Sequence, residues 1–253
     1  MMRIGLAGHA SCAPTESALP ASAATRSAKA ARDNPRRRSR GVQSFIPGSG
    51  CGKRELSWTQ QPTGDTGLKR IADLDPTTMD AEQRSVYQAI ASGPRAGVRG
   101  PLAVWLHRPG LADRAQQLGA YCRYGSSLPP RLSELAILMM GRHWDAEYEW
   151  AAHKPIALQA GISPAVVEAI RTGMAPPFTN DDEALVHAFV TALHARHAID
   201  DALYARAVQS LGEGGVVDLV GIAGYYTLIS MTIKVFDLAP PDGAVAELLP
   251  LPS

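Results

Sequence analysis

Cysteine is scarce in this 253-residue chain: Cys12, Cys51 and Cys122 are its three, and none forms a CxxC pair. That argues against a disulfide scaffold, a zinc ribbon and a dithiol redox centre. Aromatic residues make up only 6% and no alternating strand run of useful length occurs, which disfavours a β-sandwich. Net charge is almost absent, +1 overall, so nothing global points to nucleic acid. Long apolar runs are missing too. The nearest, Val216 to Phe236, is interrupted by Asp218, Gly221, Gly224 and Lys234. It reads as a buried core or subunit-interface helix rather than a membrane span. Nor does the start read as a good secretory signal, because Met1 to Ala7 is followed by His9 and Ser11 without a long apolar stretch. A cytoplasmic protein with no membrane and no nucleic-acid partner is expected.

The small net charge conceals an asymmetry. Residues 1–54 hold ten Lys/Arg against Glu16 and Asp33, a local net of +8; residues 55–253 hold fifteen basic and twenty-two acidic residues, a net of −7. The head is rich in Ala, Ser, Pro, Gly and Arg and poor in large apolar residues, so it cannot offset its ordering entropy. Residues 1–66 are therefore expected to form a disordered basic extension. A transit peptide and an upstream stretch added by a misplaced start share that composition.

From residue 67 to 253 the pattern is helical. Val86, Tyr87 and Ile90 recur at helix spacing within 81–91, and Gly93-Pro94 ends the run. Short helices are expected over 101–107 and 113–124. Pro129-Pro130 opens a helix striped by Leu132, Leu135, Ala136, Met139 and Met140. Asp145 is the expected cap of the next helix, which runs to about Ala160 with Gly161 after its end. Ser163-Pro164 starts another, and Thr179 is the expected cap of a helix reaching His197. Residues 200–211, ended by Gly212, and 215–235 complete an all-α bundle of about seven to eight helices.

Chemistry concentrates in two neighbouring helices. Glu149 and His153 lie four apart and share a helix face. A carboxylate beside an imidazole orients the ring and raises its pKa, which suits proton transfer near neutral pH. Glu134, on the preceding helix, joins them if the two helices pack antiparallel. Tyr148 and Trp150 flank Glu149 and are the candidate walls of a substrate pocket.

The segments Leu128-Pro129-Pro130-Arg131 to Ile137, Tyr148-Glu149-Trp150 with His153, Gly161-Ile162-Ser163, and Val217 through Tyr225-Tyr226-Thr227 resemble the carboxymuconolactone decarboxylase family. That family shares its all-helical fold with the AhpD-type alkylhydroperoxidases. In the peroxidase branch a Glu is followed by cysteines at +12 and +15 and a His at +19. Counted from Glu134, those positions hold Ala146, Glu149 and His153. The acid and the imidazole remain while both thiols are gone, and a thiol peroxidase needs both. The resemblance implies a lyase-like, cofactor-independent decarboxylase, or a related lactone or enol isomerase, acting on a small carboxylated substrate. It gives His153 as proton donor or relay, with Glu149 and Glu134 orienting it. Arg131 is the expected carboxylate clamp, ahead of Arg99 and Arg108. It also implies a homo-oligomer, trimer or hexamer. A metal site on Glu134, Glu149 and His153 with His143, and a non-catalytic oligomeric member, are the competing readings.

Overall fold

A computed structural model of the chain describes residues 69–95, 97–248 and 250; the expected disordered extension, 1–66, lies outside them. Among the described residues there are eight α-helices and no strand. The first, α1 (Ala81–Ala91), begins at a capping box. The Asp80 carboxylate accepts from the Gln83 backbone N–H at 2.8 Å, and the Gln83 amide accepts from the Asp80 N–H at 3.1 Å. Its inner face buries Val86 and Ile90. Then come α2 (Pro101–Trp105) and α3 (Pro109–Ala120), both opened by proline in the first turn. The last winds directly into a single π-helical turn, Tyr121–Gly125. The helix expected over 101–107 is thus shorter, and the one expected over 113–124 starts earlier and changes its winding.

The centre of the fold is α4 (Pro130–His143), buried continuously from Leu132 to Arg142. A helix buried on all faces must be surrounded, and α5 (Glu147–Gln159), α6 (Pro164–Thr172), α7 (Asp181–Arg196) and α8 (Asp201–Phe236) pack around it. The turn between α4 and α5 differs from the expected cap. Asp145 sits in the left-handed region at φ 47° and binds Arg142 at 2.7 Å, so Ala146 occupies the capping position with no side-chain bond. Asn180 rather than Thr179 holds the equivalent place before α7. At α6 the expected cap is present, with the Ser163 hydroxyl accepting from Val166 N–H at 3.2 Å. The long α8 is interrupted at Gly212 (φ 72°, ψ 164°), where two helices were expected to meet. It is long and apolar enough to cross a membrane, but most of that apolar stretch is buried inside the protein.

After α8 the chain doubles back over α5. Glu247 accepts from Lys154 Nζ at 2.5 Å and from the Trp150 indole N–H at 3.2 Å. The backbone N–H groups of Glu247 and Leu248 donate to the Glu147 carboxylate at 2.9 and 2.6 Å.

Candidate functional site

The antiparallel pairing of α4 and α5 brings Glu134 against His153. His153 Nδ1 lies 2.7 Å from Glu134 Oε2, and Nε2 lies 2.9 Å from Glu149 Oε1. All three side chains are buried, at 4%, 4% and 5% exposure for Glu134, Glu149 and His153. The two carboxylates are not equivalent. The bond to Glu134 is well directed, whereas Glu149 Oε1 is close but out of line and retains no hydrogen bond of good geometry. Burial acts to lower the imidazole pKa. The Glu149 charge, the hydrogen bond to Glu134 and the close approach of the Glu149 carboxylate oppose it, and the ring is held up at about 9. At neutral pH it is therefore an imidazolium, an acid rather than the evenly poised group the sequence suggested.

Glu149 and His153 open onto a cavity of about 560 Å³, while Glu134 stands behind them, outside its wall. The rings of Tyr226 and His153 pack nearly perpendicular to each other, with centroids 5.3 Å apart. Tyr148 lines the cavity as expected of it in position, its ring packed over Gly100, where a side chain would collide with the ring. Burial, then the nearby Glu149 charge, pushes its phenol up to about 12. Pro155 also lines the cavity, and its missing N–H leaves the Ala151 carbonyl without its usual helical donor.

Three guanidinium groups share this wall: Arg95 and Arg99 from the loop before α2, and Arg123 from the π-helical turn. Among the described residues none of them forms an ion pair with a carboxylate. Unpaired cations around a cavity favour an anionic occupant.

Other expected residues lie elsewhere. Arg131 binds Asp182 at 2.7 Å and also Glu183, tying α4 to the start of α7, and does not line the cavity. Trp150 is wholly buried on the far side of α5 against Glu247. His143 faces a different cavity beside His194, with ring centroids 5.0 Å apart, so a set joining it to Glu134, Glu149 and His153 is not assembled. Both imidazole nitrogens of His153 already face carboxylates, and among the described residues no group of three or more His, Cys, Asp and Glu is disposed to hold a metal. Cys122 is buried and does not line the cavity, its thiol pushed up to about 11 by burial.

Arg95, Arg123, Tyr225 and Tyr226 were not singled out from the sequence as site residues. Two signals for them existed: arginines in a Gly-rich loop, and a tyrosine pair inside a largely apolar helix. The π-helical turn that aims Arg123 left no pattern.

No protein-family model matches the sequence, and no curated protein matches it. Solved structures do. A peroxidase-related protein with the alkylhydroperoxidase AhpD core, from Ralstonia eutropha JMP134, superposes with a TM-score of 0.56 at 14% identity, over 69% of this chain and 93% of that one. A peroxidase-related protein from Silicibacter sp. TM1040 gives 0.55 at 15% identity, over 71% and 96%. Identity this low speaks to architecture alone. The chain has the AhpD-like all-α fold.

Proposed function

We propose that this protein is an acid–base enzyme that decarboxylates, or isomerises through an enol, a small carboxylated compound without using a thiol. The observation that carries the reading is the imidazolium clamped between two buried carboxylates on the wall of a cavity lined by three unpaired arginines. The AhpD-like structures are peroxidase-related, yet here the two positions of the peroxidase thiols hold Ala146 and Glu149, and Cys122 is buried elsewhere. A thiolate mechanism therefore has no nucleophile in this cavity.

The arginines would hold the substrate carboxylates in a recess partly open to water, where charge interactions are stronger than on a flat surface. The bond to the departing carboxylate breaks, its electron pair stays on the carbon, and conjugation within the substrate spreads it. His153 then protonates that carbon, either directly or through Glu149, which lines the cavity beside it. Glu134 orients the ring from behind. Burial of the Glu–His couple favours this reading over a non-catalytic one, in which a solvated pair would serve as well. The reading includes a homo-oligomer formed through the exposed side of α8.

The test is CO2 release from a panel of small carboxylated lactones and oxo acids. Turnover that falls roughly a hundredfold or more in His153→Ala, with fold retained, supports it. Turnover unchanged in that variant, or dependent on Cys122, would overturn it.

A further inference from the structure

The stretch that bounds the cavity after α8 is held at its two ends. At the first, α8 stops at Asp237 (φ 53°), and the buried Leu238 donates its backbone N–H to Ile233 O at 3.1 Å. At the second, Glu247 is bound through all its polar groups. Lys154 and Trp150 take its carboxylate, Glu147 its N–H, and Arg171 Nη1 donates to its carbonyl at 2.8 Å. Among the described residues, no side chain of 239–246 forms a hydrogen bond or an ion pair. The one backbone bond of that segment is internal, from Ala244 N–H to Pro241 O at 3.0 Å. From Asp242 to Ala246 the chain is exposed throughout, with Val245 at 82%. Pro240 and Pro241 stiffen the outgoing arm, and Asp242 (φ 56°) and Gly243 (φ 72°) turn it back through two left-handed residues. Yet Pro241, Asp242 and Ala244 line the cavity that Glu149 and His153 face. A segment with so few anchors opens locally at a small fraction of the cost of global unfolding.

We infer that residues 239–246 are a lid, latched at Glu247, that swings off the cavity to exchange ligand and closes to retain it beside His153. The lid goes beyond the acid–base reading and takes from it only that the ligand is anionic. The latch is mostly polar: Glu147, Trp150 and Lys154 of α5 and Arg171 of α6. Such bonds are exchanged for bonds to water at small net cost, so the latch can open while α5 and α8 stay folded. The stiff arm moves as one piece about Leu238, which remains docked. Asp242 supplies the pull towards closure, because it carries a carboxylate to a wall that holds Arg95, Arg99 and Arg123. Ligand release then depends on the latch, at a distance from the groups that do the chemistry.

Hydrogen exchange on the full chain, read residue by residue, tests the lid without turnover. The hydrogen-bonded amides of Ala244, Glu247 and Leu248 should exchange faster than the core amides of α5 and α8. Glu247→Ala should speed exchange at Ala244 and Leu248 by about tenfold or more and leave the two helices unchanged. Lys154→Gln cuts the latch from the α5 side and serves if the first variant does not fold. Oxalate, a small dianion, should slow these amides in the wild type. Calorimetry should show Glu247→Ala binding it several fold more weakly. Charge alone predicts the reverse, since the substitution removes an acid, and Glu247 does not line the cavity. Exchange of these amides only together with the helices, or oxalate affinity unchanged or raised in Glu247→Ala, overturns the lid. Failure of oxalate to bind the wild type overturns the anionic reading instead, and the exchange rates alone then decide the lid.

Discussion

His153 is pulled in two directions, by a desolvated setting that opposes its charge and by Glu134 and Glu149, which stabilise it. Its folded pKa of about 9 exceeds the usual 6.5, so the folded state binds this proton more tightly than the unfolded chain does. The resulting stabilisation is complete below about pH 6.5 and is lost as pH rises through about 9. Its size is at most roughly 3 kcal/mol. Thermal melts across that interval should show a falling midpoint in the wild type and a flatter one in His153→Gln. Catalysis by the imidazolium should fail on the same basic limb. Glu149→Gln removes the largest of the raising effects, so the limb should move to lower pH; a profile unchanged by that substitution would show that Glu149 does not govern the ring. Arg131 belongs to stability instead. Arg131→Ala would leave Glu183, which is buried, without its cation, at a cost of about 3 kcal/mol by denaturant titration, while ligand affinity in the cavity should be unaffected. The Glu149–His153 couple was legible because four residues is one helical turn, a local rule. Trp150 misled because neighbouring residues on a helix diverge by about 100°, so Tyr148 and Trp150 on either side of Glu149 cannot both share its face. Arg131 misled for a different reason: its partners Asp182 and Glu183 stand 51 and 52 residues away in the first turn of α7, and no local pattern couples the two segments.

At the level of elements, the cavity depends on places where regular winding is interrupted. Gly100 precedes α2 at φ 58°, a conformation that suits glycine, and its missing side chain admits the Tyr148 ring. Gly100→Ala should therefore be penalised twice, by backbone strain and by displacement of Tyr148. The expected result is weaker binding of small carboxylated ligands by several fold and a stability loss of about 1–2 kcal/mol, read by calorimetry and thermal melting. The π-helical turn after α3 has a comparable role, since extra backbone in one turn re-aims Arg123. Such features are short, and hydrophobic periodicity over a dozen residues does not register them. That is why the helices α1 and α4 to α8 were readable from pattern, whereas of the three cavity arginines only Arg99 was named, behind Arg131, and Arg95 and Arg123 were not.

At the level of the whole molecule, α8 presents Val217, Val220, Met231 and Val235 to solvent, and added side chains at Gly221 and Gly224 would meet open space. A proposed homo-oligomer covers this face. Light scattering should give a trimer or hexamer, and Val220→Glu should reduce its mass; a monodisperse monomer in the wild type would remove the proposal. Deleting residues 1–60 should leave the thermal midpoint nearly unchanged, because their composition offers little to pack, and a drop of many degrees would contradict that. The return of the chain over α5 has a consequence for the order of events in synthesis. Residues 241, 242 and 244 complete a cavity whose opposite wall begins at Arg95, and Glu247 fastens them to Lys154 and Trp150. A nascent chain that already holds Glu134, Glu149 and His153 in register still exposes the couple to water on that side. An affinity of the cavity for small carboxylates would thus be withheld until translation has passed residue 247, and a pulse-labelled, stalled chain ending near Phe236 would be helical but unable to retain such a ligand.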